Sequence, residues 1–184
     1  PIYTGELKLL GQHNFENVMA AVAMAYCAGV SVESIRKSVC ECVAVPHRIE
    51  YVTEKNGVAY YNDSKGTNPD AAIKGIQAMN RPTLLIGGGY DKQSTYEEWI
   101  QAFDGKVRFL VLIGDTKEKI AKAARSVGFN DIIMADNLKE AVQICHDKAN
   151  AGDAVLLSPA CASWDQFKSY EQRGELFKEY VRAL

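Results

Sequence analysis

The sequence predicts an α/β chain, with a mostly parallel sheet flanked by helices and a short helical segment in front. Three observations carry this. From about residue 46 onward, short apolar runs alternate with longer helix-like stretches, the pattern of right-handed crossovers. The breaks between them hold helix-opening and turn signals such as Asn68-Pro69, Asn137-x-x-Glu140 and Lys55-Asn56-Gly57. The chain has 184 residues and is 47% hydrophobic, enough for one α/β domain with its own core plus an attachment.

Residues 15–29 are Ala-rich and apolar on most faces, and Gly29 stops them. Asn14 is a plausible cap for this helix, and His13 reads as a helix-opening residue rather than a ligand or base. Ser31 is placed to cap a second helix over 32–42. This pair has no strands, and its apolar faces require a partner surface. Composition changes at Val45-Pro46, which divides the chain into 1–45 and 46–184.

Ile49–Thr53 and Val58–Asn62 then form a hairpin across Lys55-Asn56-Gly57. Asn68 caps and Pro69 opens a helix to Met79. Leu84–Ile86 is a strand ending in Gly87-Gly88-Gly89, and Ser94-x-x-Glu97 spaces a capping box for a helix to Phe103. Val107–Ile113 is a buried strand, with Asp115 capping a helix to Val127. Asp131–Ala135 is a strand, the Asn137 box opens the next helix, and Ala154–Ser158 is the last strand. Ser163 and Gln166 have capping-box spacing, so a long final helix is expected from Trp164. The whole is Rossmann-like.

With 21 basic and 23 acidic residues, the net charge of −2 gives no electrostatic footprint for nucleic acid or an anionic membrane. No apolar run is long enough to span a bilayer, and the first residues lack a signal-peptide pattern. Five cysteines without a C-x-x-C pair read as reduced thiols of a cytoplasmic protein, although Cys40, Cys42 and His47 make a metal site conceivable. No metal ligands are assigned. His146 is expected at the surface or in packing.

Three polar clusters follow predicted strands, at the sheet edge where ligands bind. In Asp63-Ser64-Lys65-Gly66-Thr67-Asn68, a carboxylate can hold a ribose hydroxyl or a magnesium-bound water. The ammonium can meet a phosphate, and Thr67 with the free N–H groups of the next helix can bind a carboxylate. Composition alone favours a solvated, merely capping loop here. Gly87-Gly88-Gly89-Tyr90-Asp91-Lys92 fits no dinucleotide or P-loop fingerprint, and a tight turn explains it equally well. Ser158-Pro159-Ala160-Cys161-Ala162-Ser163-Trp164-Asp165-Gln166-Phe167 offers a hydroxyl at a helix start, with Trp164, Phe167 and Tyr170 otherwise ordinary core aromatics.

Taken together, these three strings resemble the C-terminal part of the Mur ligase family, over nearly the whole chain. The resemblance makes residues 1–45 the helical tail of a central ATPase domain and 46–184 the C-terminal ligase domain. It implies an ATP-dependent amide ligation, with Mg2+ as cofactor, adding D-glutamate to UDP-N-acetylmuramoyl-L-alanine in peptidoglycan precursor synthesis. Nucleotide contacts are implied for Asn14, Asn17, Arg48, Asp63 and Lys65, with a possible catalytic role for Lys65. Amino-acid contacts are implied for Thr67, Lys92, Ser163, Trp164 and Tyr170; Phe167 stays a core residue and Glu171-Gln172-Arg173-Gly174 look structural. The chain contains no Walker A loop, so it is expected to be a fragment, inactive alone, of a monomeric bacterial enzyme. Alternatives are a ligase of the same superfamily for another amino acid, or a non-catalytic nucleotide-binding module.

Overall fold

The computed structural model describes residues 2–184 and, of His13, the backbone alone. A 3-10 turn at Thr4–Glu6 precedes two helices, α1 (Gln12–Cys27) and α2 (Val32–Glu41). There follow β1 (Glu50–Lys55), β2 (Val58–Asn62), α3 (Pro69–Ala78), β3 (Thr83–Gly88) and α4 (Glu97–Gln101). The chain then runs through β4 (Val107–Ile113), α5 (Lys117–Ser126), β5 (Ile132–Met134), α6 (Leu138–Lys148), β6 (Ala154–Leu157) and α7 (Tyr170–Ala183).

The six strands form one sheet in the order β1-β2-β6-β3-β4-β5. Only the β1–β2 hairpin pairs antiparallel; the other four pairings are parallel. The last strand is therefore inserted between β2 and β3, with Leu157 level with both Asn62 and Ile86. Period-2 alternation splits the core into two layers. Leu85, Leu110, Leu112 and Leu156 face Ile76 of α3, Trp99 of α4 and Ile120 of α5. Leu84, Ile86, Val111, Val155 and Leu157 face Val142 of α6 and Phe177 and Val181 of α7.

The glycines that end β3 are explained from below. A Cβ on Gly87 would lie 2.7 Å from Trp99, and Gly88 has φ 100°, where an L side chain is strained. Packing and backbone conformation thus account for that run without a ligand.

Four helix starts differ from expectation. Gly11, at φ 95°, turns the chain into α1 three residues early; Asn14 is not the cap, and its Nδ2 donates to Leu10 O at 2.7 Å. His13 falls in the first turn of α1 as expected, and its side chain lies outside the described residues. Ser94 does not cap α4, because Gln93 at φ 63° bends the approach and the helix begins only at Glu97. Thr116 rather than Asp115 precedes α5, its hydroxyl bonded to Gly89 N and O, both at 3.0 Å. The final helix opens at Tyr170, where Ser169 Oγ accepts from Gln172 N at 3.3 Å. Ser163 instead makes a tight turn through its carbonyl, which accepts from Phe167 N at 2.8 Å.

Candidate functional site

Because β6 stands between β2 and β3, the three segments that leave their carboxyl ends are neighbours. They are also tied together. Ser158 Oγ donates to Asp63 Oδ2 at 2.7 Å, and Ser64 Oγ donates to Tyr170 O at 2.8 Å. Gly88 N donates to Pro159 O at 2.8 Å and Tyr90 N to Ala162 O at 3.0 Å. The interior end of this assembly is Arg173, buried under the segments after β2 and β6.

Two cavities open on this edge. One, of about 250 Å³, is lined by Thr67, Lys92, Ser163, Trp164 and Tyr170, with Ala162, Ser169 and Glu171 completing it. All five residues expected to contact an amino acid therefore meet in one place. Trp164 is 64% exposed, which rules out a core role, and its ring packs on Tyr90 with centroids 5.5 Å apart. Lys92 Nζ stands 5.7 Å from the Trp164 centroid and makes no ion pair among the described residues, so its charge is available to an anion. A bond from the Ser169 hydroxyl holds the Glu171 carboxyl below the usual range. Phe167 packs against the core layer under α6 and α7, as expected.

The second cavity, of about 130 Å³, is lined by Arg48, Asp63, Lys65, Gly66 and Lys74. Its three cations make no ion pair among the described residues. Asp63 does not offset them freely: Oδ1 accepts from Ile49 N at 3.2 Å and Oδ2 from Ser158. Burial pushes its carboxyl up to about 7, against the pull of Ser158, Ile49 N and the Arg48 and Arg173 charges. Lys65 lines this cavity, and its Nζ sits 5.8 Å from the ring centroid of Tyr170, which lines the other. An unpaired cationic pocket beside the capped N-terminus of α3 fits a polyphosphate. A divalent cation fits poorly: Asp63 has both oxygens engaged, and no group of three His, Cys, Asp or Glu side chains gathers among the described residues.

Not every predicted residue joins. Asn14 donates one Nδ2 bond to Leu10 O, Asn17 is exposed on α1, and neither lines the cationic cavity. His47 does not combine with Cys40 and Cys42; its Nδ1 is 3.0 Å from Asn62 Nδ2. His146 packs as expected, with Nδ1 3.0 Å from Tyr60 OH. A wider cavity, about 570 Å³, lies elsewhere, against the apolar side of α1 and α2. The sequence reading marks neither Lys74 nor Ser169, and Glu171, expected to be structural, lines the amino-acid cavity. A signal for Lys74 exists, since it follows Ala71 at helical i,i+3 spacing.

The model of the domain described as "Mur ligase, glutamate ligase domain" matches residues 47–161. Among curated relatives, UDP-N-acetylmuramoylalanine–D-glutamate ligase of Lachnoclostridium phytofermentans is 60% identical over 179 residues, 97% of this chain and 39% of the relative. The same-named enzyme of Lachnospira eligens is 56% identical, over 97% of this chain and 40% of its own. The chain thus spans about 40% of the length of the relatives it matches. Among solved structures, a UDP-N-acetylmuramate–alanine ligase of Thermotoga maritima superposes with TM-score 0.72 at 17% identity, over 96% of this chain and 39% of that one. At that identity the likeness is one of fold.

Proposed function

The chain belongs to the Mur ligase family, and from that premise we propose that it is the C-terminal part of an ATP-dependent ligase that joins D-glutamate to UDP-N-acetylmuramoyl-L-alanine. The observation that carries this is the single cavity lined by Thr67, Lys92, Ser163, Trp164 and Tyr170. An acidic amino acid presents two carboxylates, and the cavity offers a free ammonium, the hydroxyls of Thr67 and Ser163 among its four hydroxyl-bearing residues, and the N-terminus of α7. Trp164 and Tyr170 wall the carbon chain.

Bound ATP supplies the phosphoryl group that activates the alanyl carboxylate. Arg48 and Lys65 hold the phosphate end, and Lys74 adds charge at the same cavity. Lys65, lying between the cavities, faces the negative charge that develops when the amine attacks, a role of positioning and electrostatic stabilisation. Magnesium is held by groups outside this chain. In this reading α1 and α2 are the tail of the ATPase domain, a role supported by the apolar side they leave open. Asn14 and Asn17 reach the adenine from that tail when the domains close. The enzyme is a cytoplasmic monomer, and the chain alone is inactive.

The test is phosphate release by the longer ligase containing this chain. It receives UDP-N-acetylmuramoyl-L-alanine and Mg-ATP, with D-glutamate, L-glutamate, L-lysine and diaminopimelate in turn. Turnover with D-glutamate alone is expected. Turnover with another amino acid would replace the substrate, and nucleotide binding without any turnover would favour a non-catalytic module.

A further inference from the structure

Arg173 sits in the first turn of α7 and is 0% exposed. A buried guanidinium is normally paired with a carboxylate, yet Arg173 has no ion pair among the described residues. Its partners are a hydroxyl and three carbonyls. Nε donates to Ser64 Oγ at 3.0 Å and Nη2 to Ser64 O at 2.9 Å. Nη1 donates to Cys161 O at 3.2 Å and Ala162 O at 3.3 Å, and Nη2 also reaches Cys161 O at 3.1 Å. The backbone arrives at these carbonyls through Ala160, whose φ of 56° is unfavourable for a residue with a Cβ.

The bonds reach two of the segments that wall the amino-acid cavity directly and the third through Ala162. Ser64 lies three residues before Thr67 and itself donates to Tyr170 O. Ala162 precedes Ser163, and its carbonyl also accepts from Tyr90 N, two residues before Lys92. One rigid, planar fork thus sets the spacing of the segments after β2 and β6 directly, and of the segment after β3 through Ala162. An apolar side chain in this space would leave the three carbonyls and the Ser64 hydroxyl without their donors, so the guanidinium ties these walls by bonds that no apolar filler supplies. Burial lowers the Arg173 pKa to about 10, which leaves it charged at neutral pH.

We propose that Arg173 is the positioning residue of the amino-acid cavity, fixing the separation of the walls that carry Thr67, Lys92, Ser163 and Tyr170. This rests on the reading that the cavity takes the amino-acid substrate. It adds a residue that touches no substrate and acts through the loops it holds.

The experiment compares wild type, Arg173→Lys and Arg173→Met in the longer ligase, with melting temperature, kcat, KM for the amino acid, KM for ATP, and hydrogen exchange at the Tyr90 amide. Lysine keeps the charge and loses the fork. Arg173→Lys is expected to fold, to raise the amino-acid KM roughly tenfold to a hundredfold and to speed Tyr90 exchange. The ATP KM should stay within about twofold. Arg173→Met should lose more. An unchanged amino-acid KM in Arg173→Lys, or equal rises in both KM values, would overturn the proposal. If Arg173→Lys does not fold, Ser64→Ala removes the shared hydroxyl and should give the same split at smaller size; wild-type kinetics there would overturn it. Wild-type turnover with an amino acid other than D-glutamate would sink the substrate assignment alone, and the split is then read on that amino acid. Without any turnover, unchanged Tyr90 exchange in the variants decides against the proposal.

Discussion

The helical pair and the sheet unit use their apolar residues in opposite ways. In α1, Met19, Met24 and Tyr26 are exposed, and α2 buries Ile35 alone among its described residues. From β2 onward the chain fills two layers, with Trp99, Leu84, Leu85, Ile86, Leu110 and Phe177 all at or near zero exposure. The difference lies in architecture, not composition. A sheet offers two faces and helices to cover each, whereas two helices that pack mainly on one another leave most of their remaining apolar sides to solvent. A helix pattern that reads as strongly apolar therefore says that a face is to be buried, but not by what.

The largest expected contrast is in core truncation. Trp99→Ala should cost about 3–5 kcal/mol in urea unfolding, since the ring lies under Gly87 and packs edge-on against Phe103. Met24→Ala, at a side chain 69% exposed, should change stability by less than about 0.5 kcal/mol. A comparable loss at Met24 would show that its face is covered and would erase the contrast.

Charge sharpens it next. Asp63 titrates near 7 in the fold and from 3.8 when unperturbed, so between those values the folded chain holds the extra proton. The stability from the neutral carboxyl is complete below pH 3.8 and is lost as pH rises to about 7. The isosteric Asp63→Asn can keep the bond from Ile49 N and replace the other by a reversed one, Nδ2 donating to Ser158 Oγ, without this loss. Relative to wild type it should gain up to about 4 kcal/mol between pH 4 and pH 8. A difference that is flat with pH, from urea midpoints at both ends, would refute the burial argument.

The smallest effect separates the regions most cleanly. Asn68 Oδ1 accepts from Ala71 N at 2.9 Å at the start of α3, and Ser31 Oγ accepts from Ser34 N at 3.2 Å at the start of α2. Each cap is worth about 1 kcal/mol. Asn68→Ala should lower the global unfolding midpoint, while Ser31→Ala should show only as faster hydrogen exchange within α2. A matching fall in the midpoint for Ser31→Ala would mean that both regions unfold as one unit.

The sequence revealed the elements well where the cue was local. Asn68-Pro69, Asn137 and Ser31 cap as read because each cap bond spans only three residues. It misled where one stretch carries two equal cues: Ser163-x-x-Gln166 and Ser169-x-x-Gln172 have the same spacing, and only the second opens a helix. The site residues were legible as strings, yet their meeting was not. That depends on β6 entering between β2 and β3, a non-local pairing that no periodicity records. Arg173 was read as structural because nothing in its neighbours shows that its donors would reach Ser64, 109 positions away.

The placement of β6 also orders events in synthesis. Until about residue 157 has left the ribosome, β2 and β3 cannot find the strand that both bond to. The nascent chain then holds two unsatisfied edges with a strand-wide gap between them, a late, long-range closure of the kind that slows folding and exposes sticky surface. Arg173 and the rest of α7 emerge after that. The segments that line the ligand site are thus among the last to be fixed, and a nascent chain halted in the α6–β6 connection would carry two of the three site strings with nothing to draw them together.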